Sequence, residues 1–548
     1  MSDDEPRALV DGLQRWLACD GTPVERIETH ISWVLLAGDL AYKLKKPVRL
    51  PFLDFGSAAL RRHYCEEELR INRRLAPQLY LGLSRVTGSI AAPAFDGPGE
   101  ALDHAVRMRR FPAGALLAEQ ARAGRHDAPR IVRLAAQIAT WQRGAAPAPP
   151  GHGYGSAALH AMALATLDGV ARQQPARADA IDGLRGWFAQ QARRLAPLWA
   201  ARAAGGQVRE GHGDLHLANL VEIDGEVLPF DAIEFDAALR FIDIVDDVAF
   251  TAMDLKAHGR ADLAARFVDA WVEAGGDHAG LPLWRHALAY RALVRSLVTR
   301  LREPLPSWPT ADDYLALALR EAEAPPAAAL LITHGLPGSG KSHVALQLLE
   351  QASAIRLRSD VERKRLLGVG PLDATPDRAL AYGADATQRT YDRLAALAEG
   401  ALDAGWPVIV DAAFLRTDER QRFAALAAKL RCPFAILHCH APMALLRERV
   451  GARARRGGDP SEATLAVLDK LTALAEPLTP EEQARHSAVA SIGPAVSASI
   501  ARACSSASSG STRLASRSST ATPASDGSPP RRSRAPTRSR SSAIGAWQ

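Results

Sequence analysis

At 548 residues, 47% hydrophobic and 23% charged, the chain exceeds one ordinary hydrophobic core and implies two or three globular domains. Its net charge of +6 resides in residues 487–548, where eight Arg and one acid, Asp526, give +7; the first 486 residues therefore carry about −1, so a basic nucleic-acid-binding face is not implied for the folded part. No run approaches the roughly 18 apolar residues of a membrane span, the opening MSDDEPRALV lacks signal-peptide regions, and the scattered cysteines form no CxxC pair, all pointing to a reducing cytoplasm.

The first elements read as strands. ETHISWVLLAGDLAYKLKK has a Gly38-Asp39 turn between two apolar runs, a hairpin signal. FGSAALRRHYCEEELRINRRLAP has helical spacing and ends at Pro77. From about Pro129 to Ala204, and from Arg240 to Ala324, the pattern is mainly helical. A small β-rich lobe followed by a larger helical lobe is the layout of a kinase-like fold.

Between the helical stretches lies EGHGDLHLANLVEIDGEVLPFDAIEF. Phosphoryl transfer needs a carboxylate for the acceptor hydroxyl's proton, and an amide and a second carboxylate to hold magnesium against the phosphates. Asp214 is the candidate base, and Asn219 and Asp231 are the candidate Mg2+ ligands, brought together by a short hairpin. Such a site also needs a lysine for the α/β-phosphates, tethered by a helical glutamate. Lys43 is the favoured lysine, with Lys45 on the same strand face as its rival. Glu68 is the favoured tether, with Glu67 behind it. Met108 is placed near the strand that meets the adenine.

HGDLHLAN resembles the catalytic loop of the aminoglycoside phosphotransferase family. FDAIE is similar to that family's metal motif, with Asp231 in place and Ala232 replacing the usual aromatic. Asp243 and Asp247, in RFIDIVDDVAF, resemble the downstream acidic segment that braces the loop. The sequence departs from the pattern in having no GxGxxG between the first two strands, where only Thr29-His30-Ile31-Ser32 and Gly38 stand.

Pro304, Pro306, Pro309 and Pro325-Pro326 bracket ADDYLALALREAEA, which reads as a helical linker over 306–326. A second domain then opens. Gly335-Leu-Pro-Gly338-Ser339-Gly340-Lys341-Ser342 matches the phosphate-binding loop in full, after the apolar run ALLITH and before the helical HVALQLLEQ. Backbone N–H groups there cradle phosphate, Lys341 reaches the β/γ-phosphates, and Ser342 is a Mg2+ ligand. Asp360 follows one strand and Asp411 ends another, the latter a further Mg2+ candidate. Arg449 and Arg453, four apart on a helix, form a candidate clamp on ATP phosphates. His438-Cys439-His440 reads as alternating strand residues and not as a metal site.

This half resembles the small P-loop kinases near zeta toxins, gluconate kinase and the kinase domain of polynucleotide kinase, which implies Asp360 as the base. The domain order resembles a bacterial family of fused phosphotransferase/ATP-binding proteins. The expectation is a multidomain chain: an α+β kinase-like domain at 1–305, the linker, an α/β P-loop domain with a parallel sheet at 327–486, and a disordered Ser/Arg-rich tail at 487–548. Only SAVASI remains of a final strand, and the sudden change of composition points to an altered reading frame. The expected activity is ATP- and Mg2+-dependent transfer to hydroxyls of small-molecule acceptors. The alternatives are a regulator in which one module binds ATP without transfer, and a nucleic-acid 5′-hydroxyl kinase; nucleic acid is otherwise expected only at the basic tail.

Overall fold

Period-two alternation builds the first lobe. The computed structural model describes residues 4–50, 53–125, 127–301, 309–325, 327–375, 383–456, 459–484 and 486–489. Six strands form one antiparallel sheet in the order Val24–Glu28, Ser32–Ala37, Leu40–Lys45, Asp103–Arg109, Tyr80–Gly88, Pro93–Phe95. Trp33, Leu35, Tyr42, Leu44, Val86 and Ala105 pack with Leu9, Val10 and Leu13 of the helix Asp4–Leu17. Val34, Leu36, Ala41, Val106 and Met108 turn the other way, against Cys65 and Leu69 of the helix Ala58–Asn72. Lys43 and Lys45 share Ala41's face, so both ammonium groups arrive beneath that helix.

The second lobe is helical. Ala128–Gly144, Ser156–Gln173, Ala178–Ala204, Ile244–Ala257, Ala261–Gly275 and Trp284–Leu301 pack around Phe188, Trp199, Phe267, Trp271 and Trp284. Two small β elements interrupt them, the hairpin Leu220–Ile223 with Glu226–Pro229 and the pair Val208–Glu210 with Phe241–Asp243. They bracket the segment 211–219. The helix Ala311–Glu323, expected as a linker, is part of this lobe instead. Its apolar stripe buries Tyr314, Leu315, Leu317 and Ala318, and the Tyr314 hydroxyl donates to Asp254 at 2.6 Å. Flanking prolines marked where the helix ends without revealing what it packs on.

The third body is a five-stranded, wholly parallel sheet in the order Ile355–Arg358, Pro407–Asp411, Ala329–His334, Phe434–Cys439, His486–Val489. Its central strands are buried along their whole length, which is why they read as continuous apolar runs. His438 and Cys439 lie within a strand, and among the described residues no group of three His, Cys, Asp or Glu is placed to hold a metal. The strand His486–Val489 carries the sheet past Ser487, where the composition turns; residues 490–548 of the expected tail lie outside the described residues. No described helix is long and apolar enough to cross a membrane.

The two halves share a core. Leu281 and Trp284 of the helical lobe belong to one contiguous buried cluster with Leu330, Ile332, Leu357 and Val408 of the parallel sheet. Replacing Leu317 by Ala is expected to cost about 3 kcal/mol in chemical denaturation, whereas exposed Glu323→Ala should stay within about 0.5 kcal/mol. A freely hinged linker would register neither change.

Candidate functional site

The residues expected around Asp214 are brought together by three elements. Asn219 Nδ2 donates to the Asp214 carbonyl at 2.9 Å and to Asp214 Oδ2 at 3.0 Å, closing the loop on itself. The Asn219 carbonyl accepts from Phe230 N at 3.0 Å, so the hairpin sets Asp231 beside it. Asp231 has a left-handed backbone, φ 61°, which Asp tolerates better than most residues. That turn is pinned from the first lobe: Asp231 N donates to the Tyr80 hydroxyl and Ala232 N to Asn72 Oδ1, each at 2.9 Å.

Two lysines and three carboxylates meet here. Lys43 Nζ donates to Glu68 Oε1 at 2.9 Å and also bonds Asp231. Lys45 Nζ donates to Glu68 Oε2 at 2.7 Å and bonds Glu234. Glu68 thus serves both lysines, while Glu67 turns to Arg70 at 2.8 Å and toward Arg240. Burial opposes the charge on Lys43, but Asp231 and Glu68 outweigh it and raise its pKa well above the usual lysine value. Burial likewise pushes the Asp214 carboxyl up, and His216 and Arg295 overcome it, holding Asp214 ionised far below the ordinary range.

The loop is braced from behind by one face of the helix Ile244–Ala257. Asp247 accepts from His212 N at 3.0 Å and from Gly213 N at 2.9 Å; Thr251 Oγ1 donates to the Leu215 carbonyl at 2.6 Å; Asp254 accepts from Leu217 N at 2.9 Å. Positions 247, 251 and 254 share a helix face by spacing. Asp243, expected to brace the loop with Asp247, binds Arg202 instead, at 2.7 and 2.8 Å, and caps the helix through Val245 N. Gly213 is required where it stands: its φ is 84°, and a Cβ would come within 2.8 Å of the Leu239 carbonyl oxygen. His212 accepts from Asp214 N through Nδ1 at 3.3 Å and meets the Phe230 carbonyl through Nε2 at 2.9 Å, a neutral-ring pattern in keeping with a pKa lowered by burial.

The second site opens into a cavity of about 1770 Å³ lined by Lys341, Ser342, Asp360, Asp411, Arg449 and Arg453. Gly335, Gly338 and Gly340 all have positive φ, and a Cβ on Gly335 would overlap the Cys439 carbonyl oxygen. Lys341 Nζ donates to the carbonyls of Gly335 at 2.8 Å and Leu336 at 2.9 Å, and burial lowers its pKa. Arg449 Nη1 donates to the Gly338 carbonyl at 3.2 Å, and Arg453 reaches the Ala463 carbonyl at 3.5 Å. Asp360 accepts from Arg363 at 2.8 Å.

This chemistry suits a magnesium–nucleotide. Mg2+ is held by one or two protein ligands plus substrate phosphates, not by a closed protein cage. Asp411 fits, because its Oδ2 is buried and accepts no hydrogen bond among the described residues. The first site offers Asn219 and Asp231, the latter with its carboxylate on Lys43. Sequence reasoning missed Tyr80, Asn72, Glu234, Thr251 and Asp254. Thr251 and Asp254 had a signal in their helical spacing from Asp247, and Glu234 in its place in FDAIE; Tyr80 and Asn72 are joined to the site only by the fold.

A family profile described as an AAA domain matches residues 330–478. The uncharacterized protein Rv2004c of Mycobacterium tuberculosis is 31% identical over 471 residues, covering 83% of this chain and 92% of its own. Among solved structures, a choline/ethanolamine kinase family protein from Mesorhizobium loti covers 59% of this chain and 96% of its own, at 16% identity and a TM-score of 0.36. A gluconokinase from Sinorhizobium meliloti covers 32% and 89%, at 21% identity and a TM-score of 0.21. The N-terminal region has the two-lobed layout of a kinase-like fold, and the C-terminal domain has the parallel sheet and glycine cradle of a P-loop fold.

Glu210 ties the two lobes at this site, accepting from Arg70 at 2.6 Å, Arg74 at 2.8 Å and Arg240 at 3.0 Å. Burial pushes its carboxyl up, but those guanidinium groups win and hold it at about 2. A depressed carboxyl stabilises the fold above its ordinary 4.5 and loses that contribution as pH falls toward about 2. Glu210→Gln should therefore lower the melting temperature at neutral pH and flatten its decline across that window.

Proposed function

The chain belongs to the family that includes Rv2004c of Mycobacterium tuberculosis, and we propose that it is an ATP-dependent phosphotransferase with two nucleotide-binding modules, passing the γ-phosphate to hydroxyls of small-molecule acceptors. The observation that carries this reading is the second cavity, where Lys341, Asp360 and Asp411 face one space and a buried carboxylate oxygen has no hydrogen-bond partner among the described residues.

In that module the loop N–H groups and the helix Lys341–Ala352 receive the phosphates. Lys341 exchanges the Gly335 and Leu336 carbonyls for β/γ-phosphate oxygens, whose negative charge offsets the burial that disfavours its ammonium. Ser342 and Asp411 hold Mg2+, which when bound neutralises phosphate charge. Asp360, held by Arg363, orients the acceptor hydroxyl and takes its proton. Arg449 and Arg453 close on the transferring phosphoryl group.

In the kinase-like module Lys43, tethered by Glu68, holds the α/β-phosphates, Asn219 and Asp231 hold Mg2+, and Asp214 faces the acceptor hydroxyl. Two observations favour a second reading for this module alone, nucleotide binding without transfer. Lys43 is bonded to Asp231, and the Val24–Glu28/Ser32–Ala37 hairpin ends in the three-residue turn Thr29-His30-Ile31 in place of a glycine-rich loop.

The test is acceptor-dependent ADP release across a metabolite library. Lys341→Ala should lower release by the P-loop module, and Asp214→Asn release by the kinase-like module, each by about 100-fold. Tight nucleotide binding with no acceptor-dependent release from either module would replace transfer by regulation.

A further inference from the structure

The parallel sheet ends on Ile355–Arg358, whose outer edge pairs with no strand among the described residues. The helix Ala261–Gly275 of the kinase-like domain occupies that edge. Asp269 accepts from Arg356 N at 3.0 Å and from Arg356 Nη2 at 3.3 Å. One turn further on, Glu273 accepts from Arg358 Nη1 at 3.1 Å and from Arg356 Nη2 at 3.4 Å. Arg365, on the helix Ser359–Leu366, donates to the Glu273 carbonyl. The strand and helix that carry Asp360 are therefore fastened at three points to the other domain.

Arg358 joins this clamp to the cavity, whose wall it forms. Its hydrogen bond goes to Glu273, yet its Nε lies 3.9 Å from Asp411 Oδ2 and its Nη2 lies 3.8 Å from Asp459 Oδ1. A buried guanidinium must keep an anionic partner. It stands within ion-pair range of the Asp411 oxygen but is drawn away from hydrogen-bonding it.

We infer that Glu273 is a positioning residue for the P-loop site: it holds Arg358 off Asp411 and so keeps that carboxylate open to a divalent cation. This rests on the reading of the cavity as a magnesium–nucleotide site. Without the Glu273 charge, the described carboxylates left around Arg358 are those of Asp411 at 3.9 Å, Asp459 at 3.8 Å and, further off, Asp360, and a charge-assisted pair with Asp411 would compete with the metal.

The experiment measures Mn2+ binding to the full chain in the presence of ADP by electron paramagnetic resonance, the P-loop share being what Lys341→Ala abolishes. In Glu273→Gln that share should bind Mn2+ about tenfold more weakly, while ADP affinity without metal is unchanged. Adding Arg358→Gln to Glu273→Gln should restore Mn2+ binding, which no general loosening of the fold would do. Glu350→Gln, which breaks the 2.6 Å pair with Arg266 at the same interface away from the cavity, should leave Mn2+ binding as it was. Wild-type Mn2+ affinity in Glu273→Gln, or no rescue by the double substitution, overturns the inference alone. Absence of Lys341-dependent Mn2+ binding in the unsubstituted chain overturns the reading of the site and the inference with it.

Discussion

A sheet edge must give its backbone groups to something, and in this protein the edge strand Ile355–Arg358 gives the Arg356 N–H to a carboxylate of the other domain. The helix Ala261–Gly275 can serve both bodies because its faces differ. Phe267 and Trp271, four apart, are buried with the helical lobe's own aromatics, while Asp269 and Glu273, also four apart, meet Arg356 and Arg358. Once that helix is committed, the apolar surfaces beside it close together into a shared core.

The same constraint, that buried charge must be partnered, shapes both sites differently. Beneath the helix Ala58–Asn72 it is met internally: two ammonium groups are distributed over Glu68, Asp231 and Glu234. A nucleotide entering there exchanges one set of ion pairs for another. At the glycine cradle the partnering is incomplete. Lys341 rests on neutral carbonyls and one Asp411 oxygen accepts no hydrogen bond among the described residues, so an anion and a cation together would complete the site. The kinase-like fold and the P-loop fold thus present a self-satisfied site and a receptive one within a single molecule.

Local chemistry made much of this legible beforehand. The glycine cradle is written in contiguous residues, because φ > 0 and close backbone approach admit little else, and the parallel sheet shows as unbroken apolar runs. The His212–Asn219 loop and its following hairpin are also contiguous, so their hydrogen bonds could be anticipated from spacing. Lys43 and Lys45 could be placed on one face by alternation, but choosing between them needed partners from residues far along the chain. Asp231 meets one and Glu234 the other.

The sequence by itself determined what short-range geometry controls: the two classes of fold, the phosphate cradle, the catalytic-type loop, and the helix and strand that offer Glu68 and Lys43. Tertiary structure alone decided what depends on packing between distant segments. It assigned Ala311–Glu323 to the helical lobe through Tyr314 and Leu317, sent Asp243 to Arg202, and set Glu273 beside the P-loop cavity. Amphipathic spacing states that a face will be covered and carries no record of which surface covers it; only closing the chain does that.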